Sequence, residues 1–337
     1  MVSKFFSLAV AGIALAIGTV PAAAQTTNLE ASFDSMLGTE VRAPRSFEAV
    51  YDTDFARRIA QLANASDGRI GVAAVDLSTG EQISVLGEQR FPMASTSKIA
   101  IACTFLEGVE QGKWTLNSEF PMLYPVSSGK YSSARAPVRE GKAMPAIDLI
   151  EQMITRSNNY ATDGLLRAVG GPEAVNAWVR RNGIREFNLT RDIATLVRDD
   201  GEFDPAYQID ARDSATPLAM IDLLTGLQQG RFLSDKSRKV LLGAMSRTRT
   251  GTRRIPKLIP SSAQVLHKTG SLNNTSSDVG IIRMPDGRAF ALAIYVTGQG
   301  SRSAREAKIA SIARALYDGY AARSPATHYT AATYGGH

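Results

Sequence analysis

At 337 residues, 44% of them hydrophobic and 21% charged, the chain is long enough for one large domain or two fused lobes with a substantial core. Its formal charge of +6 is spread along the sequence without a Lys/Arg block, which gives no support to nucleic-acid binding and weakly favours small anionic molecules or cell-wall surfaces. One cysteine, Cys103, cannot close an intramolecular disulfide, and His267, His328 and His337 are too few and scattered for a zinc site, so the composition argues against a metallo-hydrolase and implies no metal or cofactor.

Residues 1–24 read as a signal peptide: Lys4 gives a positive start, Phe5 to Ile17 an apolar stretch, and Ala22-Ala23-Ala24 a small-residue cleavage site before Gln25. The apolar stretch is shorter than the roughly 20 residues that span a bilayer. The expectation is a secreted, periplasmic protein without a stable membrane anchor. Residues 25–45 read as a flexible leader and 321–337 as a frayed tail without apolar period. The folded domain is placed at 46–320.

Within it, Phe55, Ile59 and Leu62 recur at helical spacing. Ile70 to Val75 and Gln82 to Val85 are β-like runs joined by Ser78-Thr-Gly80, an antiparallel hairpin. From Ser95 to about Ser246 the chain reads mainly as helices, including Ile99 to Leu106 and Tyr160 to Val169, punctuated by Gly170-Gly-Pro172 and Asn182-Gly183. Three β-like runs follow, Ala263 to Leu266, Val279 to Arg283 and Ala289 to Val296, then a helix marked by Ile309, Ile312, Ala313 and Leu316. Strands at both ends around a helical middle predict an α+β fold. An antiparallel five-stranded sheet flanked by the terminal helices packs against an all-helical lobe at about 95–250, with a cleft between them.

Ser95-Thr-Ser-Lys98 opens an apolar helical run, so Ser95 and Lys98 fall one turn apart on one face. A helix N-terminus and partial desolvation both disfavour the ammonium, which leaves Lys98 able to take the Ser95 proton. Ser157-Asn158-Asn159 stands at a helix junction, and Lys268-Thr269-Gly270-Ser271 follows a β-like run where small residues let a substrate lie along a strand edge.

The order Ser-x-x-Lys, Ser-x-Asn, Lys-Thr-Gly resembles that of the serine penicillin-recognising enzymes. Further landmarks, among them Arg90-Phe-Pro-Met93, Gly170-Gly-Pro172, Arg212-Asp213 before Thr216-Pro217, and Val296-Thr-Gly298, resemble class A β-lactamases. The resemblance covers roughly residues 50 to 320 and implies a serine hydrolase acting on β-lactams or similar cyclic amides through a Ser95 acyl-enzyme. It also implies roles: Ser157 relays a proton to the leaving amine, Lys268 holds that hydroxyl in a positive field, and the N–H groups of Ser95 and Ser271 form the oxyanion hole. Asn159 meets the substrate amide, although a helix N-cap is an equal alternative for it. Thr269, Gly270 and Ser271 line the substrate, and Arg254 receives its carboxylate because Val279 and Gly280 stand where many class A enzymes carry Arg. Other readings are a D,D-peptidase-like penicillin-binding protein acting on peptidoglycan-like substrates, and a protein that traps acyl groups without turnover.

The family's Glu-x-x-Leu-Asn loop, whose Glu activates the deacylating water, is missing. Arg198 and Asp213 are fifteen apart, the spacing of the family's loop-closing ion pair, and that register puts Asp200 at the water-activating position, with Glu202 as the other candidate. A solvated acidic loop in Arg198-Asp-Asp-Gly-Glu202 is the competing reading.

Overall fold

A computed structural model describes residues 41–42 and 52–323. The expected signal peptide, most of the leader and nearly all of the tail lie outside these residues.

Strands in chain order are β1 (Val41–Arg42), β2 (Ile70–Asp76), β3 (Gln82–Val85), β4 (Phe91–Pro92), β5 (Glu119–Pro125), β6 (Val138–Pro145), β7 (Phe187–Asn188), β8 (Ile209–Asp210), β9 (Ser214–Ala215), β10 (Gln264–Leu272), β11 (Thr275–Arg283) and β12 (Ala289–Thr297). The helices are α1 (Asp54–Leu62), α2 (Lys98–Glu110), α3 (Ala146–Thr155), α4 (Asn159–Val169), α5 (Pro172–Arg181), α6 (Ile193–Arg198), α7 (Pro217–Gln229), α8 (Asp235–Ser246) and α9 (Arg302–Ala321).

Five strands form an antiparallel sheet in the order β10-β11-β12-β2-β3, as expected. The period-two pattern of β12 decides which layer covers which face. Phe290, Leu292, Ile294 and Val296 join Ile70, Val72 and Ala74 against Ile59 of α1 and Ile309, Ile312 and Leu316 of α9. Ala291, Ala293 and Tyr295 point the other way, into the helical lobe. Because both faces are covered, β12 is buried along nearly its whole length and reads as a continuous apolar run.

The lobe is organised around α2, whose Ile99, Ala100, Ile101, Ala102, Cys103, Phe105 and Leu106 are all fully buried. A helix apolar all round belongs inside a lobe, with neighbours on every side. Cys103 is buried there, and burial pushes its thiol far up from the usual range, so it stays a neutral packing group.

Two parts of the middle differ from the helical expectation. β5 pairs with β6 as a separate hairpin, irregular between Pro121 and Leu123. Pro121, Pro125 and partial exposure break the alternation that would mark these strands in sequence. The stretch from Arg191 to Asp213, given above no helix of its own, contains α6, capped by Asp192, whose carboxylate accepts Thr195 N at 2.8 Å. Its buried Ile193, Ala194 and Leu196 span one turn, too short a run for a helical period to be read.

Candidate active site

Ser95 lies on a 3₁₀ turn, Ala94–Ser97, that runs straight into α2. Ala94, just before it, has φ +47°, a left-handed conformation that costs a non-glycine residue of order 1 to 3 kcal/mol and is held here by its surroundings. Thr96 Oγ1 donates to Met93 O at 2.7 Å and Ser97 Oγ to Ala94 O at 2.8 Å, which pins the turn from both sides of the serine. Ser95 is half-buried, and its hydroxyl makes no hydrogen bond to another described residue.

Ser157 sits in the three-residue junction between α3 and α4, also left-handed at φ +56°. The N-cap of α4 is Asn158, not Asn159: Asn158 Oδ1 accepts Tyr160 N at 2.9 Å and Ala161 N at 3.1 Å, while its Nδ2 donates to Gln152 Oε1 at 3.0 Å. An aspartate would cap the helix equally, but only an amide can both cap it and donate to Gln152 Oε1. Asn159 is left free to turn its side chain inward.

Lys268, Thr269, Gly270 and Ser271 belong to β10, the edge strand, as expected. A Cβ at Gly270 would lie 2.7 Å from Met93 O and 2.4 Å from Ser277 Oγ. Only glycine lets the edge strand approach the turn carrying Ser95 this closely.

These elements bring two lysines onto one hydroxyl. Lys98 Nζ lies 3.2 Å from Ser157 Oγ, and Lys268 Nζ lies 3.0 Å from the same atom. Lys98 also donates to Ser157 O at 2.8 Å and Asn159 Oδ1 at 2.7 Å, and Lys268 to Thr269 O at 2.9 Å. Both lysines are fully buried. Burial, reinforced by the Lys268 charge, holds Lys98 well below the usual lysine range; burial likewise lowers Lys268 to about 7. Lys98, expected as the base for Ser95, has its amine turned to Ser157 and Asn159.

The sequence model of the β-lactamase enzyme family matches residues 54–320. The chain belongs to that family. β-Lactamase CTX-M-25 of Escherichia coli is 32% identical over 270 residues, covering 79% of this chain and 89% of the relative. β-Lactamase CTX-M-8 of Citrobacter amalonaticus is 31% identical over 273 residues, with the same coverage of 79% and 89%. Among solved structures, a β-lactamase from Chitinophaga pinensis matches with a TM-score of 0.70 at 26% identity over 80% of this chain and 100% of the other. An ancestral class A β-lactamase matches with a TM-score of 0.67 at 33% identity over 79% of this chain and 100% of the other. At the level of the family, the chain is a hydrolase of cyclic amides, on an α+β fold shared with class A β-lactamases.

The two residues expected to receive the substrate carboxylate are Thr269, whose hydroxyl is 2.7 Å from Thr250 Oγ1, and Arg254. Arg254 is not a solvated surface residue: it is 1% exposed and ties strands together by donating to Gly270 O at 2.7 Å and Ser277 O at 2.8 Å. Its Nη2 reaches Ser271 Oγ at 2.7 Å, and Glu306 balances its charge at 3.3 Å. Ser271 itself is exposed to the cleft.

The loop after α5 departs from the family, and from the register expected above. Arg191 closes it, with Nε 2.5 Å from Asp213 Oδ2, while Arg198 pairs with its neighbour Asp199 at 2.8 Å. The loop is thus seven residues longer than the fifteen-residue spacing assumed. The position two residues after the closing arginine falls on Ile193, which is 2% exposed, and the following Leu196 and Val197 stand where the family has Leu and Asn. Asp200 is directed elsewhere: its carboxylate accepts Asn273 N, on the β10–β11 turn, at 2.8 Å. Glu202 pairs with Arg212 at 2.7 Å.

One carboxylate that the sequence reading passed over, Asp163 of α4, is buried beside the cluster. Its position four residues after Asn159 places both on one helix face, a spacing visible in the sequence. Among the described residues, no group of three or more His, Cys, Asp or Glu is gathered as metal ligands would be.

Proposed function

We propose that this chain is an exported hydrolase that opens β-lactams through a covalent acyl-enzyme on Ser95. The observation that carries the reading is Ser157 Oγ held between two buried, desolvated lysine amines, one of them three residues after Ser95. With its ammonium disfavoured, Lys98 is an amine that can accept the Ser95 proton as Oγ attacks the lactam carbonyl carbon. The C–N bond then breaks, and the proton passes through Ser157 Oγ to the departing nitrogen, while Lys268 keeps that hydroxyl in a positive field. The N–H groups of Ser95 and Ser271 receive the oxyanion, each such donor being worth about 3 to 4 kcal/mol in the transition state. Asn159 contacts the substrate amide. Its carboxylate is received by Thr269 and by Ser271 Oγ, which Arg254 charges from behind. The basic and apolar segment at 1–24 supports export; among the described residues no helix is long and apolar enough to cross a membrane.

One observation favours a second reading, a penicillin-binding protein with slow release: Ile193 cannot activate water. Hydrolysis of a chromogenic cephalosporin tests the choice. The proposed function requires sustained turnover by wild type and none by Ser95→Ala. A single stoichiometric burst from wild type favours the second reading, and turnover by Ser95→Ala overturns the first.

A further inference from the structure

The acyl-enzyme reading leaves one step without a residue: something must take a proton from the water that attacks the ester. The loop position facing that task holds an aliphatic side chain. Asp163 stands immediately behind it, its Oδ1 accepting Ile193 N at 2.7 Å and its Oδ2 accepting Ala194 N at 2.9 Å. Each oxygen keeps a lone pair beyond these bonds.

Asp163 also borders open space. With Asn159, Tyr160 and Ile193 it lines a cavity of about 410 Å³, and on its other side it lines a second of about 280 Å³. Asn159 Oδ1 is the 2.7 Å acceptor of Lys98 Nζ. Cβ atoms four residues apart on a helix face are about 5 to 6 Å from one another, which makes Asn159 and Asp163 neighbours. The Asp163 carboxylate interacts with the Lys98 charge and borders a space large enough to hold water.

Resting on the Ser95 reading, we propose that Asp163 is the general base of deacylation. Water oxygen bonds to the acyl carbonyl carbon as its proton passes to the Asp163 carboxylate. The bond from that carbon to Ser95 Oγ then breaks, Oγ recovers a proton from the Lys98–Ser157 pair, and the proton on Asp163 returns to that pair as the acid product leaves. No proton is gained or lost by the protein over the cycle. Burial raises the Asp163 carboxyl to about 7, with Asp192 adding to the rise; the bonds from Ile193 N and Ala194 N and the Lys98 charge oppose it. A base of that strength suits neutral pH. The other charged groups on the two cavities are the cations Lys130, Arg198, Arg135 and Arg167 and one anion, Asp192.

The experiment follows the Ser95 adduct by mass spectrometry after mixing with benzylpenicillin, separating its formation from its decay. Wild type should acylate and then decay at a rate that rises with pH through about 7. Asp163→Asn should acylate at a wild-type rate, decay roughly 100-fold or more slowly, and lose the pH dependence. Adding Ile193→Glu to that variant should restore decay, because the new carboxylate enters the same space. Decay of Asp163→Asn at the wild-type rate overturns the inference, as does equal slowing of formation and decay, the mark of a structural role for the clamp on α6. If Asp163→Asn does not fold, the wild-type profile decides: a decay rate flat between pH 5 and pH 9 overturns the inference. An adduct that forms and never decays overturns it while leaving Ser95 as nucleophile; no adduct overturns the Ser95 reading and this inference together.

Discussion

Arg191 Nε meets Asp213 Oδ2 at 2.5 Å, and Asp213 also accepts the backbone N–H groups of Thr190 and Arg191 at 2.8 and 3.0 Å. A 2% exposed carboxylate with those partners closes the loop that carries Ile193 beside the cleft. Breaking a buried pair by removing one partner costs roughly 3 to 5 kcal/mol. Asp213→Ala should therefore lower Tm by roughly 5 °C or more and expose the 191–213 segment to protease. Arg198→Ala, which loses Asp199 and the carbonyls of Ser132 and Ala134, should leave the 191–213 segment protected from protease; exposure of that segment by Arg198→Ala and not by Asp213→Ala would restore the fifteen-residue register.

Asp200 and Glu202 already have partners outside the lysine cluster. Asp200→Asn and Glu202→Gln should each leave the decay of the acyl-enzyme within about two-fold of wild type, since a carboxylate out of hydrogen-bond reach of the water cannot act as its base. Single-turnover decay rates check this. A stalled adduct in Asp200→Asn would return the deacylation role to that residue.

Lys268 couples the site to stability. Its folded-state ammonium loses a proton near 7, against an ordinary value of 10.5, because burial disfavours the charge. Between those values the unfolded chain binds more protons than the folded one, so this lysine makes stability rise with pH across the window and leaves it lowest below 7. Lys268→Met removes that contribution. The gain in Tm from pH 7 to pH 9.5 should be smaller in Lys268→Met than in wild type; an equal gain contradicts a desolvated lysine.

Arg254 has two duties that one substitution separates by substrate. Arg254→Ala deprives Ser271 Oγ of its charged donor and Gly270 O and Ser277 O of theirs. Acylation by a β-lactam carboxylate should fall about ten-fold or more, while a β-lactam esterified at that carboxylate barely responds. Tm should fall as well, because Glu306 is left with only Arg253 and Arg302. Equal loss for both substrates would make Arg254 a purely structural tie.

The parts of this molecule legible in sequence are those where one local pattern dictates one structure. Gln82–Val85 is read to the residue, and the apolar run Ala289 to Val296 falls one residue short of the strand Ala289–Thr297. That Lys98, Ser157 and Lys268 meet was legible because each belongs to a short motif. What the sequence hid was pairing between distant segments. Fifteen residues from Arg198 to Asp213 look like a closed loop until Asp199 is seen to take Arg198. Arg254, flanked by Arg253, carries no local sign that it is buried against two strands. The β5–β6 hairpin lacks alternation because its prolines and exposed edge do not need it.

The central claim is that Ser95 becomes acylated under the control of the hydroxyl shared by Lys98 and Lys268. Intact-protein mass spectrometry after mixing with benzylpenicillin, followed by peptide mapping, tests it directly. The account predicts one adduct of unfragmented penicillin mass on the peptide carrying Ser95, formed rapidly by wild type, much more slowly by Ser157→Ala, and not at all by Ser95→Ala. An adduct on any other residue, or undiminished labelling in Ser95→Ala, would contradict it.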